Sequence, residues 1–162
     1  MPARFCLAAS LAVTLSGCLV VPVPIPVSVS TAGSAEPVTI TADDRGSALN
    51  RFREAQGLSV LGRDAKLDRA AADLARDMAQ SGVFGHGGSA GATMAIRAKR
   101  HGYGFCRLAE NIAKIGGGET GAIQGWIGSP GHRSNMVRRD ITEYGYASAD
   151  DYHVLMLGRD GC

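Results

Sequence analysis

Two histidines and a glutamate have the residue types and settings for chemistry. They are His86 in Phe84-Gly85-His86-Gly87, Glu110 in Ala109-Glu110-Asn111-Ile112, and His132 in Ser129-Pro130-Gly131-His132-Arg133. Each falls at the end of an element or in a glycine-marked turn, where a side chain can face a cleft. Neutral imidazole and ionised carboxylate are good donors for a divalent cation, and three of them leave a position for water, the make-up of an open zinc site. Water held by such a cation is acidified toward hydrolysis. The separations are 24 and 22 residues, so no local zinc motif joins the three, and neither HExxH nor CxxC occurs. Spacing alone leaves two readings open: a metal site, or ordinary hydrogen-bonded histidines.

Positioning these residues requires a layered domain, and the hydrophobic pattern supplies one. From about Asp43, Ala48, Leu49, Phe52 and Ala55 recur at helical spacing until Gly57 closes the run. A stronger helix is expected from about Asp64 to Ser81, with Leu67, Ala70, Ala71, Leu74, Ala75 and Met78 on one face and Gly82 as the stop. Its alanines imply close approach to another layer. A third helix is expected over about Ala92 to Arg100, and a fourth over Glu119 to Ile127, ending at Gly128-Ser129-Pro130. Strands are expected at Leu108 to Ala113, Ile141 to Ala147 and His153 to Leu157, the last apolar enough to be buried on both faces. Helices flanking a small sheet make a mixed α+β domain.

The neighbours of the three residues have their own readings. If Leu108 to Ala113 is a strand, Asn111 faces away from Glu110. Ser134 and Asn135 are expected to brace a loop after His132, and Trp126 to lie in the core with Ala122 and Ile123. His101, at a helix C-terminus, meets the helix dipole favourably, and His153 is read as packed in the last strand. Gly116-Gly117-Gly118 lacks the Lys-Ser or Lys-Thr of a phosphate loop.

Taken in order, LNRFREAQGLSVL, the alanine-rich helix, VFGHGG, LAENIA, WIGSPGHRSNM, EYGYA and HVLMLG resemble the bacterial branch of the CAP (SCP/PR-1-like) superfamily, over about residues 46 to 158. The resemblance implies a three-layer α-β-α sandwich with a central cavity into which two histidines and up to two glutamates point, holding zinc or another divalent cation in some members. By position His86, Glu110 and His132 match three of these. Many eukaryotic relatives carry a glutamate three residues after the tryptophan of the fourth helix. This chain has Ser129 there, three after Trp126, and a hydroxyl does not supply that charge.

Residues 1 to 17 read as a secretory leader, with Arg4 followed by an apolar run too short to span a bilayer. LSGC at 15 to 18 resembles a lipobox, which makes residues 1 to 17 a lipoprotein signal peptide and Cys18 the acylated residue. An ordinary signal peptide with a chance cysteine is the other reading. Residues 18 to 42 form the acylated cysteine and a spacer in which Pro22, Pro24 and Pro26 forbid a helix. The domain is expected over 43 to 162. The chain is therefore read as exported and tethered to a membrane through lipid, facing the periplasm from the outer membrane in a Gram-negative host because Leu19 and not Asp follows Cys18.

Cys106 and Cys162 are then the remaining thiols, either bonded to each other in an oxidising compartment or left as two buried cysteines. With Arg4 removed, the 17 basic residues become 16 against 15 acidic ones. So balanced a charge gives no basis for nucleic-acid binding. Arg133, Arg138 and Arg139 read as a solvated loop, and a monomer is expected. Three functions follow: a non-catalytic envelope module binding a small ligand, lipid or macromolecular partner; a metal-dependent hydrolase of envelope peptide or peptidoglycan; or a cluster in which the histidines simply bond Glu110.

Overall fold

The structure is a computed structural model that describes residues 47–161. The leader at 1–17, Cys18 with its spacer, and Cys162 lie outside the described residues.

The elements run α1 (Ala48–Ala55), β1 (Gly62–Arg63), α2 (Ala65–Ser81), α3 (Met94–Arg100), β2 (Phe105–Lys114), α4 (Gly118–Ile127), α5 (Pro130–Met136), β3 (Glu143–Ala149) and β4 (Tyr152–Asp160). The four strands form one mixed sheet in the order β1-β3-β4-β2, with β1 parallel to β3 and the other pairs antiparallel. Strand β4 is interior and buried on both faces from Tyr152 to Gly158, as its continuous apolar run implies.

Helix α2 begins where Asp64 accepts the backbone N–H groups of Lys66 and Leu67 at 2.8 and 2.9 Å, and ends at Gly82 in the left-handed conformation. All six residues of its expected apolar face are buried. The small side chains bring it down on β3: a Cβ at Gly145 would lie 2.2 Å from the Leu67 carbonyl carbon. That contact admits glycine alone.

Alternation along the strands divides the core into two layers. Ile112, Val154 and Met156 meet α2 and α3 on one face. Ala109, Leu155 and Leu157 meet α1, α4 and α5 on the other, with Trp126 at the centre donating its indole N–H to the Ile112 carbonyl at 3.0 Å. The result is the α-β-α sandwich of the resemblance.

Three expectations needed correction. The buried face of α1 is Leu49, Asn50 and Arg53, while Phe52 is half-buried and Ala55 exposed. The polar pair wins because Asn50 bonds both backbone groups of Leu61, at 2.8 and 2.9 Å, and Arg53 donates to backbone carbonyls. Residues 130–136 are helix α5 and not a loop. Pro130 supplies the fixed φ of a first turn, but with Met136 as its one fully buried residue the segment has no apolar stripe to announce it. Finally, β3 starts two residues later than expected and β2 three earlier, with a bulge between Phe105 and Arg107.

Candidate ligand-binding cleft

Glu110 sits mid-way along β2, on the face shared with Ile112 and turned toward α2 and α3. Asn111 faces the opposite layer, as alternation requires. His86 comes from the loop between α2 and α3. That loop is fixed to α2 by the Ser89 N–H, donated to Asp77 at 2.6 Å, and it turns at Gly88, where a Cβ would collide with the Asp77 carboxylate.

The loop and strand meet directly: His86 Nδ1 lies 2.8 Å from Glu110 Oε1. The other carboxylate oxygen takes an ion pair from the Arg97 guanidinium on α3. Arg97 also donates to the His86 carbonyl at 2.9 Å and to the Ala92 carbonyl. The Glu110 and Arg97 side chains are 1% and 3% exposed, whereas that of His86 is 59% exposed. An ionised carboxylate only accepts, so the His86 Nδ1–H donates to Glu110 and the exposed edge of the ring turns to the cleft. Arg97 was not anticipated. It lies in the α3 run MAIRAKR among exposed cations, and the local pattern carried no signal of its burial.

On the other face, the Asn111 side-chain amide donates to the His132 carbonyl at 3.0 Å, and Asn135 donates to Asn111 Oδ1 at 2.9 Å. These bonds tie α5 to β2 and set His132 at the side of the site. Burial and then the nearby His86 imidazole hold the His132 imidazole below its ordinary value. Ser134 bonds the Gly131 carbonyl at 2.7 Å. Ser129 is the N-cap of α5, where its side chain makes no capping bond.

Between α3, β2 and α5 lies a cleft of about 440 Å³. Met94 and Leu108 give it apolar walls; His86, Glu110, Asn135 and Arg138 give it polar groups. Arg138 is held by a two-bond pair to Asp140, at 2.8 and 2.7 Å, which pulls the Asp140 carboxyl down to about 2. The exposed edge of the His86 ring is thus open to the cleft, beside the Asn135 and Arg138 side chains.

A metal held by His86, Glu110 and His132 together does not fit this arrangement. Both Glu110 oxygens have partners, one of them a buried cation, and among the described residues no three His, Cys, Asp or Glu side chains are placed to hold one ion.

The remaining histidines are structural. His153 is buried, bonded at 2.6 Å to the Tyr146 hydroxyl and at 2.8 Å to the Ile115 carbonyl. His101 caps α3 and lies 2.7 Å from Asp73.

The sequence profile of the cysteine-rich secretory protein family, CAP, matches residues 47–156. The chain belongs to this family. Among relatives, the Bacillus subtilis (strain 168) protein YkwD is 29% identical over 96 residues, which is 59% of this chain and 37% of that one. An extracellular protein containing an SCP domain from Bacillus anthracis str. Ames superposes with a TM-score of 0.67 at 28% identity, over 69% of this chain and 38% of that one. This CAP protein therefore spans less than two fifths of the length of either Bacillus relative. An outer surface protein of Borrelia burgdorferi shares the fold, with a TM-score of 0.64 at 21% identity over 76% of this chain and 97% of that one.

Proposed function

We propose that this is a lipid-anchored cell-envelope CAP protein that binds a small ligand, lipid or macromolecular partner in the His86 cleft without transforming it. The observation that carries this reading is the cleft's construction. A buried ion pair fixes one imidazole so that its exposed edge, with the Asn135 and Arg138 side chains, meets ligand above apolar walls, a pattern common to binding pockets. The envelope location is supported by the LSGC segment, and by relatives described as extracellular and outer surface proteins. The pairing of Phe105 with Asp160 sets Cys106 beside the residues that lead to Cys162, which supports a disulfide between them.

Leu108→Trp fills the cleft while keeping an apolar wall. Native mass spectrometry of the full chain, extracted from membranes and mixed with envelope lipid and peptidoglycan fragments, should show adducts on the wild type that this variant lacks. Equal adducts on both, or conversion of a fragment to product, refutes non-catalytic binding in this cleft. Loss of membrane partitioning in Cys18→Ala tests the anchor.

A further inference from the structure

A second cleft, of about 380 Å³, lies away from the histidines between α1, the segment leading to β1, and the segment joining α5 to β3. Leu58 and Ile141 line it with Ser59, Thr142 and two arginines, Arg53 and Arg139. Successive residues thus serve different clefts: Arg138 the first and Arg139 the second.

Arg53 is 2% exposed. Its Nε donates to the Ser59 carbonyl at 2.9 Å, and Nη1 to the carbonyls of Met136 and Arg138 at 2.7 and 3.0 Å. Among the described residues no carboxylate pairs with it, and Nη2 has no acceptor. Its strongest charged neighbour is another cation. Burial first, then the Arg139 charge, bring the Arg53 guanidinium below its ordinary value. Arg139 is exposed, and its side chain makes no ion pair or hydrogen bond among the described residues. Buried charges in proteins are balanced by an opposite charge; carbonyl oxygens satisfy hydrogen bonds but do not cancel a full positive charge. Two guanidiniums facing one cleft without a carboxylate form a site with the wrong sign for water alone and the right sign for an anion. The planar fork of each suits an oxyanion, to which the Ser59 and Thr142 hydroxyls can also donate.

We propose that this cleft binds a small oxyanion, a phosphate or carboxylate group, between Arg53 and Arg139. Leu58, Val60 and Ile141 provide room for an apolar body attached to that group.

The test is thermal melting of the full chain in detergent at fixed ionic strength, titrated with inorganic phosphate, acetate or chloride. Phosphate or acetate should raise Tm saturably by a few degrees, with chloride inert. Arg139→Gln should melt above the wild type without anion, because repulsion of Arg53 is gone. At saturating phosphate it should melt below the wild type, with affinity weakened about tenfold or more, the size of one lost charged hydrogen bond. Arg133→Gln, a change of the same charge outside the cleft, should keep the wild-type response. Dihexanoyl phosphatidic acid separates the sources of the anion: tighter binding than phosphate identifies a lipid headgroup, equal or weaker binding a free anion, and the site stands in either case. A response that rises without saturating, or identical behaviour of Arg139→Gln and Arg133→Gln, overturns the proposal.

Discussion

The molecule buries two arginines to almost the same depth and treats them in opposite ways. Arg97 meets the Glu110 carboxylate, so charge cancels charge and the pair becomes a fixed support for His86. Arg53 meets only carbonyl oxygens and stands near a second arginine, so its positive charge persists. One cleft is electrostatically closed and offers an imidazole nitrogen; the other is electrostatically open and offers the charge itself. A buried cation therefore has no single meaning, and what decides it is whether the neighbours supply charge or only lone pairs.

The largest effect should come from breaking the closed pair. Arg97→Met leaves Glu110 buried and uncompensated, and removal of one partner of a buried pair costs about 3–5 kcal/mol; urea unfolding should show a loss of that size. Arg97→Met with Glu110→Leu should recover much of it, since an apolar pair replaces a charged one. The single variant also frees the carboxylate, so calorimetric titration with zinc should find tighter binding than in the wild type. Binding no tighter than wild type would mean that Arg97 does not withhold Glu110 from a metal.

A smaller loss is expected for Arg53→Met. It gives up hydrogen bonds to carbonyls but also removes an unbalanced charge, and should cost about 1–3 kcal/mol. A loss matching that of Arg97→Met in the same assay would erase the contrast between the two sites.

The smallest effect concerns pH. His132 beside the first cleft has a folded value below its unfolded one of about 6.5. The unfolded chain therefore binds more protons between the two, and stability rises with pH across that window. The His132 contribution is complete above about 6.5 and is lost as pH falls through the folded value. His132→Gln should flatten this part of the stability profile, while Arg139→Gln should leave it unchanged.

Much of the frame was legible because long elements announce themselves. Helix α2 carries a six-residue apolar face and a glycine stop, and each was found where the pattern put it. Strand β4 showed its two buried faces as an unbroken apolar run. A bond between the histidines and Glu110 was one of the readings the residues left open, and His86 makes it; what occupied the second carboxylate oxygen was not foreseen, since Arg97 sits among exposed cations on α3 and nothing local marks it as buried. Arg53 escaped for the same reason. Helix pattern reading weights apolar residues, whereas α1 buries an asparagine and an arginine to satisfy backbone groups of other segments.

The interior position of β4 governs the order in which this domain can form. Synthesis proceeds from the N-terminus, yet both hydrophobic layers close on Tyr152–Asp160, and β2 and β3 reach each other only through that strand. Until β4 emerges, Glu110 lies on an unpaired strand, and neither layer is sealed. Closure of both layers thus waits on β4, and until it pairs, β2 and β3 present open strand edges to each other's place in the sheet.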